Sequence, residues 1–225
     1  MGSSVPLHSR KPLSFFYQNV RGLNTKLENF KDNVALHSYD FICITETWLS
    51  ESVFDAEVSY DRYHVIRQDR DLQGCNKKRG GGAMSLISNR YNSVAINDHD
   101  LLCSFNVTIS KVVVHPAFSF FLVVVYFPPK PTSEMFSSFF NYFYERHDFL
   151  TSNLLILGDF NLPEVTGSNF PLQNGSSLAR KLDDFLSFFN LSSHNDILNN
   201  SGRTLDLVLS NFPSDCIIIS REPGL

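Results

Sequence analysis

Two polar residues follow a run of four large aliphatic side chains in the octet at residues 154–161, Leu-Leu-Ile-Leu-Gly-Asp-Phe-Asn. The aliphatic run predicts a fully buried strand, and strand residues two apart share a face, so Asp159 and Asn161 are expected to point the same way. A carboxylate and an amide held at the end of a rigid strand suit the base and the positioning group of an enzyme. Asp and Asn also favour Asx-type turns at strand exits, so the octet alone leaves a catalytic and a purely structural interpretation open.

Polar side chains also end or lie within four other apolar runs. They are Asn19 after Ser-Phe-Phe-Tyr-Gln, Glu46 after Phe-Ile-Cys-Ile-Thr, Tyr126 before two prolines, and Asp206 within the run from Arg203 to Leu209. If these strands lie side by side, their ends form one rim and the polar groups converge there. Taken singly, Asn19 fits a strand-end amide satisfied by backbone, and Glu46 fits a surface acid. Arg203 and Asp206 fit an ordinary ion pair, but the joint occurrence of all these residues with the octet favours a shared site.

The chemistry that these groups suit is metal-assisted cleavage of a phosphodiester. Glu46 offers the hard carboxylate oxygen that Mg²⁺ prefers, and this ion often takes only one or two carboxylates from a protein. The metal would neutralise charge on the phosphate and its leaving oxygen, and Asp159 could orient or deprotonate the attacking water. Three uncharged donors could bond phosphate oxygens without adding charge, namely Asn19, Asn161 and Tyr126.

The elements that must position these residues indicate an α/β sandwich of two sheets flanked by helices. Strands are predicted at 13–20, 40–45, 62–66, 82–88, 105–114, 118–126, 154–161, 204–210 and 215–219, and helices at 25–38, 133–149 and 177–190. No internal repeat or domain boundary interrupts this pattern. We therefore expect a flexible N-terminal segment at 1–12 and a single domain over 13–225.

The composition fits one globular domain of 225 residues, with 43% hydrophobic and 19% charged residues. The net charge of −4 gives the whole molecule no attraction to nucleic acid, so any such binding depends on local basic groups. Lys77, Lys78 and Arg79 could contact phosphates beside the site, as could Arg203, although a charged run in a loop is more often simply solvated. The four cysteines lack metal-ligand spacing, and no stretch is long enough for a membrane span.

Short motifs surround the candidate residues. They are Gln-Asn-Val-Arg-Gly-Leu-Asn at Asn19, Thr-Glu-Thr-Trp-Leu at Glu46, Arg-Gly-Gly-Gly-Ala from Arg79, Tyr-Phe-Pro-Pro from Tyr126, Gly-Asp-Phe-Asn around Asp159, and Gly-Arg-Thr-Leu-Asp ending at Asp206. From about residue 13 onward, the chain resembles the endonuclease/exonuclease/phosphatase superfamily, specifically the apurinic-endonuclease-like domain of non-LTR retrotransposons. Each motif alone is weak, but several in the family's order make a strong signal. Glu-Thr-Trp-Leu, and Arg21 where repair members often carry an acid, favour the retroelement branch.

The resemblance implies a four-layered α/β sandwich in which two mostly antiparallel sheets pack face to face. It also implies an Mg²⁺- or Mn²⁺-dependent enzyme that nicks target DNA to prime reverse transcription. Its metal ligand would be Glu46, and its catalytic residues would be Asn19, Tyr126, Asp159, Asn161 and Asp206, the last orienting a catalytic histidine. By the same resemblance we expect DNA as the substrate, a reverse transcriptase domain downstream in a parent polyprotein and a nuclear location. We also expect a monomer and, because no apolar stretch is long enough, no membrane association.

The family closes its site with a Ser-Asp-His triplet some two dozen residues after the Asp206 motif. The sequence given ends at Leu225, where that triplet should begin. We therefore expect impaired catalysis, a missing last strand and a lower stability than that of an intact domain. His194 and His99 are weak candidates to substitute for the missing histidine, and each fits a solvated loop better.

Two other functions stay open. The chain could be a catalytically inactive remnant that keeps the fold and some affinity for DNA. It could also be an abasic-site repair endonuclease, or a small-phosphoester phosphatase on the same fold. Arg21 and the Glu-Thr-Trp-Leu motif favour the retroelement function over repair.

Overall fold

The computed structural model describes residues 12–59, 61–70, 80–96, 105–165, 175–199 and 202–221. Its strands are β1 (Phe15–Asn19), β2 (Phe41–Thr45), β3 (Tyr63–Gln68), β4 (Ala83–Ser88), β5 (Asn92–Ala95), β6 (Asn106–His115), β7 (Phe118–Tyr126), β8 (Asn153–Asp159), β9 (Ser192–Ser193) and β10 (Asp206–Ser210). Its α-helices are α1 (Leu27–Leu36), α2 (Asp55–Val58), α3 (Ser133–Tyr144), α4 (His147–Leu150) and α5 (Ser177–Phe188). The N-terminal segment expected at 1–12 lies outside the described residues, apart from Pro12.

The strands form two sheets, each containing one parallel pair. The smaller sheet has the order β1-β2-β4-β3, and the larger sheet has the order β5-β6-β7-β8-β10-β9. β1 pairs with β2 and β7 with β8 in parallel, whereas the other pairings of the described strands are antiparallel. Parallel neighbours need a crossover, which α1 supplies for the first pair and α3 with α4 for the second. Two mostly antiparallel sheets flanked by helices confirm the predicted fold class.

Three apolar cores hold the four layers together. The core between the sheets is centred on Phe41 from β2 and Phe120 from β7. α1 covers the outer face of the smaller sheet, where Phe30 is buried. α3 and α5 cover the outer face of the larger sheet with a cluster of phenylalanines, namely Phe136, Phe139, Phe140, Phe143 and Phe185. Because successive strand residues point to opposite faces, β7 contributes to the cores on both sides of its sheet.

The register of the strands brings polar residues to one end of both sheets. In the smaller sheet Asn19 pairs with Thr45, the residue before Glu46. In the larger sheet Asp159 is flanked by Tyr126 on one side and by Asp206 on the other. We call this end of the sandwich the site rim, defined by Asn19, Glu46, Tyr126, Asp159 and Asp206.

The opposite end of the smaller sheet carries another buried carboxylate. Asp40, which directly precedes β2, accepts hydrogen bonds from the Ser14 N–H at 2.8 Å, the Ser14 hydroxyl at 2.9 Å and the Tyr91 hydroxyl at 2.8 Å. The Arg90 guanidinium lies 2.5 Å from the same carboxylate. This far rim, defined by Ser14, Asp40, Arg90 and Tyr91, ties the starts of β1 and β2 to the turn after β4.

The helix predicted at 133–149 is two helices. α3 begins after Thr132, whose hydroxyl accepts a hydrogen bond from the Met135 N–H, and α4 begins after Arg146, whose backbone is extended. The break places the Phe149 ring 4.6 Å from the ring of Phe121 and 4.6 Å from that of Phe143, measured between centroids. Packing of one aromatic ring against the sheet therefore interrupts a continuous amphipathic pattern.

The prediction of a strand at 215–219 is wrong. Pro213 leads into a 3₁₀ turn at Ser214–Cys216, after which Ile217 packs against the core between the sheets. Ile218 is 93% exposed, so only one side of this apolar segment is used. None of the described helices combines the length and apolar character needed to cross a membrane.

Candidate active site

A single amide joins the two sheets at the site rim. The Nδ2 atom of Asn19, the last residue of β1, donates to Oε1 of Glu46 at 2.9 Å and to Oδ2 of Asp159 at 2.8 Å. Both hydrogens of this NH₂ group are therefore used. The structure thus brings three of the predicted site residues together, and their carboxylates come from different sheets.

The exit of β8 contains the turn that one interpretation of the octet predicted, and the catalytic interpretation stays a prediction. β8 ends at Asp159, and Asn161 lies beyond it with a positive φ of 48°. The Asn161 N–H donates to Oδ1 of Asp159 at 3.0 Å, which is an Asx-type turn, and the Asn161 side chain donates to the Phe127 carbonyl at 2.7 Å. The expectation that Asp159 and Asn161 share a strand face is therefore wrong, because the chain turns between them. Asp159 faces the rim, while Asn161 fastens the loop that follows β7.

Asp206 is held by a tyrosine from the other sheet. The Tyr17 hydroxyl donates to Oδ1 of Asp206 at 2.6 Å and lies 3.0 Å from the Thr45 hydroxyl. The ion pair expected between Arg203 and Asp206 is not among the contacts of the described residues. Arg203 is exposed and exchanges hydrogen bonds with Asn199 through its backbone. A nucleic-acid contact by Arg203 stays a prediction.

Crowding of acids shifts the pKa values at the rim. Burial raises the pKa of Asp159 to about 7, and the negative charges of Asp206 and Glu46 add to this rise against the hydrogen bonds from Asn161 and Asn19. Burial also raises the pKa of Asp206, although its hydrogen bond from Tyr17 opposes the rise. These carboxyls lie close together in a poorly solvated place, where the electrostatic free energy favours a bound cation.

The Glu46 carboxylate has the chemistry of a ligand for a hard divalent cation. Its Oε1 accepts the Asn19 hydrogen bond, and its Oε2 accepts a hydrogen bond from Nε1 of Trp48 at 3.3 Å. Within the described residues, no group of three or more His, Cys, Asp or Glu side chains is placed to hold a metal ion. Mg²⁺ needs no such group, because it keeps several waters and binds through one or two carboxylates. Glu46, fixed by Asn19 and Trp48, therefore fits this ion.

Strained backbone is concentrated near this carboxylate. Among the described residues, six non-glycine residues have a positive φ, and four of them lie in or near the rim: Arg21 (48°), Glu46 (54°), Trp48 (53°) and Asn161 (48°). The left-handed conformation costs an L-residue roughly 1–2 kcal/mol. Such strain is found where the position of a side chain matters more than local stability.

Sequence reasoning missed two side chains of the site. Tyr17 lies two residues before Asn19 on β1, so the alternation of strand faces was a usable signal. Arg70 follows β3, and its guanidinium carbon lies 5.3 Å from the centroid of the Tyr126 ring. No local pattern marks Arg70, because its neighbours belong to other strands. The basic candidates Lys77, Lys78 and Arg79 lie outside the described residues.

Tyr126 is a weak acid in this setting. Burial raises its pKa to about 12, the charge of Glu46 adds to the rise, and Arg70 opposes it. Its hydroxyl therefore stays protonated at neutral pH and can donate a hydrogen bond. This property fits the predicted contact with a phosphate oxygen, which stays a prediction.

His194 lies away from the rim and is not a solvated loop residue. Its Nε2 atom is 2.8 Å from the hydroxyl of Ser210, and its N–H donates to the Val208 carbonyl at 2.8 Å. Ser210 ends β10, whereas Asp206 begins it, so roughly 13 Å of strand separates them at about 3.3 Å per residue. The solvated-loop prediction is therefore wrong for His194, because half-burial beside β10 gives it structural partners. His99 lies outside the described residues.

Comparison with known proteins identifies the family. The model of the endonuclease/exonuclease/phosphatase family matches residues 16–215. The endonuclease domain of TRAS1, a telomere-specific non-LTR retrotransposon, superposes with a TM-score of 0.62 at 13% identity, over 88% of this chain and 84% of that one. The AP endonuclease LMAP of Leishmania major gives 0.65 at 13% identity over 88% and 78%, and the human Nocturnin catalytic domain gives 0.62 at 16% identity over 93% and 88%.

No curated protein sequence matches the chain. At identities this low, the solved structures show only that the fold is shared. The family assignment depends on the family model, which matches most of the chain. The protein belongs to the endonuclease/exonuclease/phosphatase family, whose members are nucleases or phosphodiesterases.

Proposed function

We propose that this protein is a divalent-metal-dependent endonuclease that nicks DNA, of the kind that primes reverse transcription in non-LTR retrotransposons. The observation that carries the proposal is the Asn19 amide, which holds Glu46 and Asp159 together where both sheets end. Nucleases of this family generally use divalent metal ions. Mg²⁺ or Mn²⁺ bound at Glu46 would neutralise charge on the phosphate and on the leaving oxygen.

In this proposal Asp159 prepares the attacking water. A carboxyl with a pKa of about 7 can accept a proton near neutral pH, and the hydrogen bonds from Asn19 and Asn161 fix its orientation. The water oxygen bonds to phosphorus while the P–O3′ bond breaks. The products are a 5′-phosphate and a 3′-oxygen that takes a proton from solvent, so the DNA keeps a 3′-hydroxyl for primer extension.

The remaining rim residues bind the phosphate or position other groups of the site. Tyr126 donates a hydrogen bond from its protonated hydroxyl to a phosphate oxygen, which it can do because its pKa is about 12. Asp206, bonded by Tyr17, adds negative charge beside Asp159 and thereby keeps it basic. Asn161 fixes the loop after β7 through its bond to the Phe127 carbonyl, and its second amide hydrogen would be the donor to a phosphate oxygen.

Two sequence features and one structural likeness support a retroelement substrate. The Glu-Thr-Trp-Leu motif and Arg21 depart from the repair pattern, and the fold is shared with a retrotransposon endonuclease domain. DNA as the substrate, a reverse transcriptase domain downstream, a monomeric state and a nuclear location are parts of this proposal.

A plasmid assay tests it. The purified chain is incubated with supercoiled plasmid in Mg²⁺, Mn²⁺ or EDTA, beside Asp159→Ala, and the ends of nicked DNA are tested for extension by a polymerase. We expect slow formation of open-circular DNA with extendable 3′ ends in either metal, and none in EDTA or with Asp159→Ala. Cleavage confined to oligonucleotides with an abasic site would instead indicate a repair enzyme.

A second function is favoured by one observation, the placement of the histidines. The described histidines lie on elements away from the rim, namely His37, His64, His115, His147 and His194. A chain that binds DNA without cutting it would fit this arrangement. Fusion of a C-terminal segment with a Ser-Asp-His triplet separates the cases: nicking by the fusion alone means that the site needs that imidazole. Nicking by neither protein, with DNA binding kept, would favour the binding function.

A further inference from the structure

Arg70 lies at the site rim without a defined role. It follows β3, whose last residue Gln68 pairs with Ala83 beside Thr45, so the chain delivers Arg70 to the same end of the sandwich as Glu46. Its guanidinium carbon lies 5.3 Å from the Tyr126 ring centroid, and its charge opposes the rise in the pKa of Tyr126. Stacking on the ring restricts a flexible side chain to one place.

The glycine run at 80–82 makes room for this guanidinium. Gly81 has a φ of 79°, and a Cβ atom there would overlap the guanidinium of Arg70 and lie 2.6 Å from Oδ1 of Asn106. Asn106 is in turn fixed, because its Oδ1 accepts a hydrogen bond from the Gly82 N–H at 2.9 Å. The backbone approaches Arg70 more closely than any residue with a side chain would allow. The motif recognised from sequence therefore has a local purpose, which is to admit a cation to the rim.

The charge of Arg70 is not neutralised within the described part of the chain. Its Nη2 atom is buried and has no hydrogen-bond partner there, and no carboxylate forms an ion pair with it. Arg67 provides the contrast, three residues earlier. It also has one unpaired nitrogen, but Asp55 and Asp69 lie 3.2 and 3.3 Å from its guanidinium. Arg67 is therefore a structural cation, whereas Arg70 keeps a charge and a donor for a further acceptor.

We propose that Arg70 binds a non-bridging oxygen of the DNA phosphate that Tyr126 contacts, and that it supplies a cation of the protein itself at this site. The inference rests on the proposed function. Glu46, Asp159 and Asp206 would repel an anionic phosphodiester, and the Arg70 guanidinium offsets this repulsion before and during metal binding. Its planar fork matches the geometry of a phosphate better than an ammonium group would.

The chain offers a matched control for this arginine. Arg62 precedes β3 as Arg70 follows it, and its guanidinium carbon lies 5.4 Å from the centroid of the Tyr63 ring. The two arginines thus share a stacked tyrosine and a place at the end of one strand, but Arg62 is at the end away from the site. Removal of either changes the net charge equally, so a difference in DNA affinity between the two variants does not come from net charge.

The experiment measures DNA affinity apart from cleavage. Fluorescence anisotropy of a short labelled duplex in EDTA gives the Kd of the wild type, Arg70→Gln, Arg70→Lys and Arg62→Gln over a series of salt concentrations. We expect Arg70→Gln to weaken binding about tenfold and to reduce the slope of log K against log salt by about one. Arg62→Gln should stay within about twofold of the wild type with an unchanged slope, since it makes no phosphate contact.

The outcomes are distinguishable from failure of the proposed function. If the wild type binds DNA and Arg70→Gln binds equally well with the same slope, or if Arg62→Gln weakens binding as much, the role of Arg70 is overturned while the proposed function stands. If the wild type neither binds nor nicks DNA, both fall. If Arg70→Gln does not fold, Arg70→Lys tests the proposal instead. Several-fold weaker DNA binding at an unchanged melting temperature would support a phosphate contact through the guanidinium fork. DNA binding with wild-type affinity would overturn that contact.

Discussion

Two aspartates at opposite ends of the sandwich are almost equally buried, yet they have opposite acid–base properties. Asp159 at the site rim is 4% exposed and Asp40 at the far rim is 1% exposed. Burial raises the pKa of Asp159 to about 7, and Asp206 adds to the rise. Burial acts on Asp40 in the same direction, but hydrogen bonds from Ser14 and Tyr91 and the charge of Arg90 outweigh it and lower the pKa of Asp40.

The difference teaches that burial does not decide what a carboxylate does. Asp40 receives hydrogen bonds on both oxygens and a guanidinium besides, so its charge is satisfied and nothing further can bind it. Asp159 receives two hydrogen bonds but faces two other acids, so its charge is left for a cation or a proton. The far rim stabilises the fold, whereas the site rim holds charges ready for chemistry at the expense of stability.

Replacement of Asp159 should give the largest effect. We expect Asp159→Ala to reduce plasmid nicking at least about 10³-fold, because the base is lost, and to change the melting temperature little, because an unfavourable buried charge is lost with it. Nicking rates and thermal melting by circular dichroism measure the two quantities. An Asp159→Ala protein that nicks like the wild type would remove this residue from the mechanism.

Replacement of Asp40 should give the reverse pattern. Asp40→Ala leaves Ser14, Tyr91 and Arg90 without their shared acceptor, and we expect it to cost about 3 kcal/mol of the free energy of unfolding. Nicking per folded molecule should stay unchanged, since the far rim does not touch the substrate. Denaturant titration and an assay at low temperature separate the two effects. A loss of nicking without a loss of stability would contradict the division between the rims.

The pKa of Asp159 predicts a pH effect on stability in EDTA. The folded pKa of about 7 lies above the ordinary value of 3.8, so its protonated form favours the folded state. That contribution is complete below about pH 4 and is lost as the pH rises through about 7. Relative to Asp159→Asn, which cannot titrate here, the wild type should lose several degrees of melting temperature between about pH 5 and pH 8. A difference that does not change with pH would refute the raised pKa.

Tyr17→Phe should give the smallest effect. It removes the hydroxyl that bonds Asp206, so Asp206 becomes harder to ionise and less well placed. We expect nicking to fall about tenfold, which corresponds to the loss of one hydrogen bond to a charged group. A pH profile measured beside the rate should shift to lower pH, because a less ionised Asp206 raises the pKa of Asp159 less, and a merely structural change would not produce this shift. Tyr63→Phe, which removes a hydroxyl bonded to the Tyr39 carbonyl, is the matched control.

Prediction from the sequence succeeded where a feature is local. Apolar runs indicated most of the strands, and their polar ends brought Asn19, Glu46 and Asp159 to notice because a strand holds its last side chain at the edge of the sheet. It failed where packing between segments that are distant in sequence determines the local structure. The helix breaks at Arg146, where Phe149 packs into the core against Phe121. The chain turns at Ser214–Cys216, between Pro213 and Ile217, which packs against the core between the sheets.

Prediction of the site also succeeded for local features and failed for contacts between distant segments. The bond from Tyr17 to Asp206 spans 189 positions of sequence, and Arg70 meets Tyr126 only because the two sheets stack. The order of the motifs along the chain could assign these strands to one fold. It could not predict which residues of the two sheets face each other. The turn after Asp159 shows a further limit. Residue types favoured both a catalytic carboxylate and an Asx turn, and the Asx turn at Asp159 does not exclude the proposed catalytic role, because the side chain also faces the rim.

The left-handed backbone at Glu46 has a consequence for the history of such a gene. A glycine at this position, where φ is 54°, would relieve about 1 kcal/mol of strain, since glycine adopts this conformation freely. If Glu46 binds the metal as proposed, selection for the reaction keeps this strained residue in place, and a copy of the gene freed from that selection can take the glycine and relieve the strain.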